Sequence, residues 1–238
     1  MTPIEVLSIR GLNFSYRRGF TLSLDHVAIS EGVTCVLGPN GAGKSTLFRF
    51  LTTSETIPRN VVHLRNCDVR EHLQDYRRQL GYLPQRFGMV NNYRVKEMLE
   101  YVSWLKGVPK SDRPLAIERA ADVCDVTRFL SHRVSDLSGG TLRRVGIAQA
   151  IVNSPKVLIL DEPTAGLDMV QQSQLFDVVK SLARDCVVLV ATHSSTDVAE
   201  MGARVVILND GTVRFSGPVD QLIAATGGSR RELSLIHI

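Results

Sequence analysis

Apolar and polar positions change their spacing along this chain, and the changes divide it into regions. Near the start, Ile4 and Val6, then Leu12, Phe14 and Tyr16, then Phe20, Leu22 and Leu24 alternate with polar neighbours. Alternation is the pattern of half-buried strands, and the break at Arg18–Gly19 predicts an antiparallel pair joined there. Val33–Leu37 is a compact apolar run closed by glycine, which predicts a buried strand. Leu80–Leu83, Val157–Leu160, Val187–Ala191 and Val205–Leu208 read the same way. The later runs alternate with helical stretches, as in a parallel α/β sheet. Asn209-Asp210-Gly211-Thr212 is a hairpin turn signal.

The middle of the chain has a different period. Val95, Met98, Leu99 and Val102 fall at i, i+3, i+4 and i+7, which predicts an amphipathic helix. A second helix is expected over Pro114–Cys124, and a third from Gly43–Lys44 to about Leu51. The expected organisation is one α/β domain over residues 1–232. A mainly parallel core with an antiparallel N-terminal part occupies about 1–87 and 137–225, and a helical insertion occupies about 88–136. There are no internal repeats.

Composition narrows the class. Of 238 residues, 44% are hydrophobic and 22% charged, the balance of a globular protein. No run approaches the roughly 20 apolar residues of a membrane span, and the start, MTPIEVLSIRGLNF, lacks the features of a signal peptide. A membrane role therefore implies docking through a partner. The net charge of +4 is spread over small pairs such as Arg17–Arg18, Arg77–Arg78, Arg143–Arg144 and Arg230–Arg231. These read as solvated faces, and nucleic acid is not expected as a partner. Cys35, Cys67, Cys124 and Cys186 form no CxxC pair, which argues against a zinc or disulfide framework. Cys35 and Cys186 sit in strand-like apolar runs, where cysteine acts as a small hydrophobe. A reducing cytoplasm fits.

Two motifs carry chemistry. Gly38-Pro39-Asn40-Gly41-Ala42-Gly43-Lys44-Ser45-Thr46 matches GxxxxGK followed by Ser or Thr, between an expected strand and helix. The glycines let backbone N–H groups turn inward onto phosphate oxygens, and the helix adds its positive end. Lys44 can reach the terminal phosphates, and the Ser45 hydroxyl can ligate Mg²⁺. A chance match in a chain of this length is roughly a one-in-a-hundred event. In Val157–Pro163 an apolar strand ends in two carboxylates. Asp161 is placed to hold Mg²⁺, and Glu162 to act as general base toward water.

Leu137-Ser138-Gly139-Gly140-Thr141 resembles the LSGGQ signature of ATP-binding cassette (ABC) proteins, and 142–150 continue in that family's style. The resemblance covers roughly residues 4–225. It implies a phosphate-loop ATPase that binds ATP with Mg²⁺. Two such domains, identical or paired with a second ABC subunit, would sandwich each ATP head to tail. Ser138, Gly139 and Gly140 of one would then cap the ATP held by the other. Tyr16 matches the aromatic that stacks on adenine, although a cross-strand core role is the alternative. Gln85 matches the Q-loop glutamine, which senses Mg²⁺ or water. Ala165–Asp168 matches the D-loop, with Asp168 at the dimer interface, and His193 the switch histidine at the γ-phosphate. Thr141 stands where the family usually has glutamine; activity is expected to survive, with rate or dimer contact the properties at risk.

The implied function is ATP hydrolysis powering transport through separate membrane permease chains, on the cytoplasmic face of the cell membrane. Residues 80–107 look like those of bacterial exporter subunits, so export is the favoured direction. Phe87, Met89, Val90 and Tyr93 either grip the permease or pack inside the insertion. The rival class is a non-transport ABC ATPase acting on nucleic acid or in translation. Such proteins carry coiled-coil arms, zinc insertions or paired cassettes, none of which is seen in this sequence. The tail Leu233–Ile238 reads either as read-through of sequencing-library DNA or as an ordinary short terminal strand, and is left out of the fold argument.

Overall fold

β1 (Glu5–Ser15) and β2 (Thr21–Ser30) form a long antiparallel pair, with Leu12 opposite Leu24 and Phe14 opposite Leu22 where the apolar positions alternate. The computed structural model describes residues 5–16, 19–202 and 204–226. Ile4, the Arg17–Arg18 and Arg230–Arg231 pairs and the Leu233–Ile238 tail lie outside them. The chain continues through β3 (Gly32–Leu37), α1 (Lys44–Leu51), β4 (Val62–Leu64), β5 (Cys67–Asp68), α2 (Leu73–Arg78) and β6 (Leu80–Leu83). Next come α3 (Val95–Leu105), α4 (Arg113–Val123), α5 (Gly139–Ile151) and β7 (Val157–Asp161). The last part runs α6 (Met169–Leu182), β8 (Val187–Ala191), α7 (Ser195–Met201), β9 (Arg204–Asn209), β10 (Thr212–Pro218) and α8 (Val219–Thr226).

The strands form two sheets among the described residues. One is antiparallel, in the order β2-β1-β4-β5; the other runs β10-β9-β3-β8-β7-β6. In the second, β9, β3, β8, β7 and β6 are mutually parallel, and only the β9–β10 hairpin is antiparallel. Both faces of the parallel strands are buried, so their sequences read as unbroken apolar runs. Alternate side chains enter separate cores. Val33, Cys35, Leu158, Leu160, Val188 and Val190 pack with the helices α3 to α7. Val36, Val157, Ile159, Val187 and Leu189 pack with α1 and the antiparallel sheet. α1 fills the space between the sheets, with Leu47, Phe48, Phe50 and Leu51 all essentially inaccessible.

α3 and α4 lie between β6 and α5. α3 turns Val95, Met98, Leu99 and Ser103 inward and leaves Tyr101, Trp104 and Leu105 exposed. Its start is zipped to the segment before α5: Val95 and Lys96 donate backbone hydrogen bonds to His132 and Leu130, and Val134 donates to Tyr93. The Lys106 ammonium anchors the far end to the Leu80 carbonyl at 2.8 Å. The four residues left open as permease contact or internal packing divide. Phe87 and Met89 pack on the helical core, whereas Val90 and Tyr93 are 51% and 41% exposed. The expected start of the second helix moves one residue, because Pro114 occupies its first turn and the helix begins at Arg113.

Cys67 is exposed, and Cys35, Cys124 and Cys186 are buried. Burial pushes the three buried thiols up to about 12, 12 and 11. One thiol per native chain is therefore expected to react rapidly with Ellman's reagent, rising to all four after unfolding in guanidinium. A second fast thiol in the native protein would contradict this core.

Candidate functional site

The loops that follow β3, β7 and β8 leave the same edge of the sheet, because these three strands are parallel neighbours. Crevices at the carboxyl ends of parallel strands are the usual ligand sites of open α/β sheets. A cavity of about 380 Å³ opens there. Tyr16, Asn40, Gly41, Gly43, Lys44, Ser45, Thr46, Gln85, Asp161 and Glu162 line it, with Phe20 and Pro39. Phe20 was read from the sequence only as a strand residue. Gly38 and Ala42 are buried beneath the loop and do not line the cavity.

The loop after β3 can be made only with glycine at certain positions. Gly43 has φ 107°, and a Cβ there would meet Leu22 Cδ1 at 2.9 Å and Phe20 Cζ at 3.1 Å. α1 begins at the next residue, so its unpaired N–H groups face the cavity. Lys44 is buried, and its ammonium donates to the Gly38 and Pro39 carbonyls at 2.5 and 3.1 Å. Burial lowers its pKa, opposed by the charges of Glu162 and Asp161. Tyr16 is half-buried at the rim. Its ring meets Phe14 edge-on at 4.8 Å, and its hydroxyl accepts from Arg49 at 3.2 Å. The ring thus has both the packing contact of a core aromatic and a place on the cavity wall.

Glu162 is the centre of the polar network. Its backbone is left-handed, φ 47°, a conformation that costs energy for a residue with a Cβ. This turns the side chain back across the cavity mouth. Oε2 accepts from Gln85 Nε2 at 2.7 Å, and Oε1 lies 3.3 Å from His193 Nδ1. Both carboxylate oxygens are therefore held, by groups from two other loops. Asp161 beside it is buried, and burial together with the Glu162 charge raises its pKa, against the opposing pull of Lys44 and Arg143. A divalent cation would relieve that strain. The donors at hand are the Ser45 hydroxyl, Gln85 and the Asp161 carboxylate, all on the cavity wall. Among the described residues there is no cluster of three or more His, Cys, Asp or Glu able to hold a metal alone. The set fits a hard cation such as Mg²⁺ shared with phosphate oxygens.

Ser138, Gly139, Gly140 and Asp168 are not part of this cavity. Ser138 is the N-cap of α5: its hydroxyl accepts from the Thr141 N–H at 3.3 Å and lies 3.0 Å from the Thr141 hydroxyl. Asp168 caps α6 in the same way, accepting from the Gln171 N–H at 2.9 Å. A Cβ at Gly140 would meet the Gln171 side chain at 2.6 Å, so the two helix starts touch. The sequence reading assigned no role to Arg143 or Asp197, which tie the loops together. Asp197, 1% exposed, accepts from the Thr164 and Thr192 hydroxyls at 2.7 and 2.6 Å, joining the loops after β7 and β8. Arg143 falls on the buried stripe of α5 with Gly140 and Ile147. A cation on an apolar stripe was the available signal.

This is the arrangement of a phosphate-loop nucleotide site. The family model for ABC transporters matches residues 25–165, more than half the chain, and the chain belongs to that family. Among curated proteins it is similar to the molybdenum import ATP-binding protein ModC of Pseudomonas syringae pv. tomato. The identity is 30% over 231 residues, 94% of this chain and 62% of that protein. ModC of Pseudomonas aeruginosa is 33% identical over 224 residues, 90% of this chain and 62% of that protein. The chain thus spans about three fifths of these relatives' length. Among solved structures, an ATP-binding subunit of an ABC transporter superposes with TM-score 0.81 at 23% identity, over 97% of this chain and 98% of that one. The cbiO1 protein of Clostridium perfringens, part of the ABC transporter complex cbiONQ, gives 0.79 at 25%, over 98% and 99%. The fold is that of ABC ATPases, with a mostly parallel sheet, an N-terminal antiparallel sheet and helical parts. The exporter resemblance drawn from residues 80–107 is not supported, because these curated relatives are named as import proteins. Among the described residues no helix is long and apolar enough to cross a membrane.

The raised pKa of Asp161 gives a prediction with a definite sign. The native state binds this proton more tightly than the unfolded chain, so stability falls as pH rises from the ordinary carboxylate value through the raised one. Asp161→Asn should therefore raise the melting temperature of nucleotide-free protein at neutral pH. The gain should vanish at pH values below the ordinary carboxylate range. Calorimetry from about pH 3 to 8 checks it, and an increment that grows on acidification would show the sign to be wrong.

Proposed function

We propose that this chain binds and hydrolyses ATP as the motor subunit of an ABC transporter and drives import through membrane permeases on separate chains. The observation that carries this reading is the convergence of the phosphate loop, Gln85, Asp161 and Glu162 on one cavity, with His193 on the far oxygen of Glu162. Tyr16 and Phe20 border the side where the base would stack. The backbone N–H groups of 41–46 and the Lys44 ammonium would take the phosphates. Mg²⁺, held by Ser45 and Asp161 with Gln85 nearby, would neutralise charge on the phosphate oxygens.

Glu162 is the base: it takes a proton from water as the water oxygen bonds to the γ-phosphorus and the bond to the ADP oxygen breaks. Gln85 and His193 hold the two carboxylate oxygens so that one lone pair faces the water. Ser138, Gly139 and Gly140, which stand away from the cavity, serve the ATP of a second copy or a second ABC subunit, and Asp168 lies at that junction. Import is the direction adopted because ModC relatives carry it in their names. The cytoplasmic membrane face is the corresponding location.

Glu162→Gln should leave ATP binding within about twofold and reduce turnover by roughly a hundredfold or more. With Mg²⁺ and ATP it should accumulate as a dimer in light scattering. Parental turnover in Glu162→Gln would remove the base assignment. Lys44→Ala should instead lose ATP binding. Reconstitution with a neighbouring permease in vesicles then tests direction: ATP-dependent accumulation on the side opposite the ATPase would count against import.

A further inference from the structure

Arg143 is 7% exposed, and its guanidinium is committed to three backbone carbonyls. Nε donates to Pro163 at 2.9 Å, Nη1 to Gln85 at 3.1 Å, and Nη2 to Glu162. The group lies 5.5 Å over the Phe87 ring. Burying a cation is costly, and none of these acceptors is a carboxylate. An apolar side chain would fill the same stripe of α5 without that cost. The arginine is therefore explained by its acceptors.

Two of those acceptors belong to Gln85 and Glu162, the pair read as handling the water, and the third to Pro163 beside them. Glu162 holds a left-handed φ of 47°, which persists only where its surroundings fix it. Its carbonyl also accepts from the Ala165 N–H at 3.2 Å, and its own N–H donates to Ala191. Arg143 adds the link to α5. The same side chain pins the Gln85 carbonyl, two peptide planes away from Phe87, on which the guanidinium rests. At the other end of this stretch of α5 stands Ser138, the helix cap. A helix transmits displacement along its axis as a rigid unit, so movement of the Ser138 end carries Arg143 with it.

We propose that Arg143 is a positioning residue that locks the backbones of Gln85 and Glu162 to α5, so that the signature end of that helix and this chain's own hydrolytic geometry move together. The proposal rests on the reading of Glu162 as the base. It makes one side chain the link between the half-site offered to a neighbour and the site this chain keeps. Lysine substitutes only in part, because a single ammonium does not present the planar fork that reaches three diverging carbonyls.

The test compares the full chain with Arg143→Lys and Arg143→Gln in two measurements. In steady-state hydrolysis, Arg143→Lys should lower kcat by about tenfold to a hundredfold with KM for MgATP within about twofold. Arg143→Gln should lose more, so that lysine is a partial rescue. In hydrogen exchange without nucleotide, amides of 85–88, Glu162 and 164–166 should exchange about tenfold faster in Arg143→Lys, with the strand cores unchanged. Unchanged kcat, or a fall in kcat matched by a uniform rise in exchange, would overturn the proposal. If the parent itself does not hydrolyse ATP, the proposed function fails, and the exchange comparison alone decides for or against Arg143. Should Arg143→Gln not fold, Arg143→Lys carries both measurements.

Discussion

Burial of both faces of the parallel sheet determines where polar chemistry can sit in this protein. β7 and β8 have no exposed position, and β3 has almost none. A charged side chain within them would be stranded between two apolar cores. The first places where these strands can release polar groups are their carboxyl ends. Gly38 follows β3, Asp161 closes β7, and Thr192 follows β8. Because the strands are adjacent and parallel, the three loops meet at one edge. The functional cavity is thus a consequence of the sheet's packing, and its contents are what the loops bring.

What they bring is a concentration of charge that needs balancing. Asp161 and Glu162 are consecutive, and the pair stands against Lys44 and Arg143. The two cations act differently. Lys44 belongs to the phosphate loop and donates to that loop's own carbonyls. Arg143 reaches from a helix and donates to carbonyls of the loops that carry Gln85 and Glu162. Neither makes a direct ion pair with either acid. Burial and the adjacent Glu162 charge raise the Asp161 pKa, and Lys44 and Arg143 offset this only in part. A divalent cation arriving with a polyphosphate would supply further positive charge, which fits the absence of an all-protein metal cluster among the described residues.

Most of the sheet was legible because its strands are long apolar runs with glycine or acidic ends. The runs at 33–37, 157–160 and 187–191 fall within β3, β7 and β8. β4 and β5 were not foreseen: strands of three and two residues are too short to show a period. The order of strands in the sheet was not legible either, since it depends on which buried faces find each other. At the site, residues fixed by spacing could be named in advance: Lys44, Ser45, Asp161 and Glu162. The partners of Arg143 and Asp197 could not, because they are backbone carbonyls at 85, 162 and 163 and threonine hydroxyls at 164 and 192 that only the folded loops bring together. Phe87 and Met89 pack inward while Val90 and Tyr93 stay exposed, and nothing in their local pattern separates them.

The departure at Thr141 can be followed to its hydrogen bonds. Ser138 has one hydroxyl proton and two acceptor lone pairs. One lone pair takes the Thr141 N–H, and the Thr141 hydroxyl lies 3.0 Å away. If Ser138 were the donor of that hydroxyl pair, its proton would be spent within the helix cap. With Thr141 as donor, the second lone pair is filled, and the Ser138 proton is turned away from the helix, toward whatever anion approaches its end. Threonine can play that part because its hydroxyl is short, rotatable and placed one turn above the cap. In that arrangement Ser138 keeps a proton to donate. Threonine at 141 lacks the longer reach of a glutamine there.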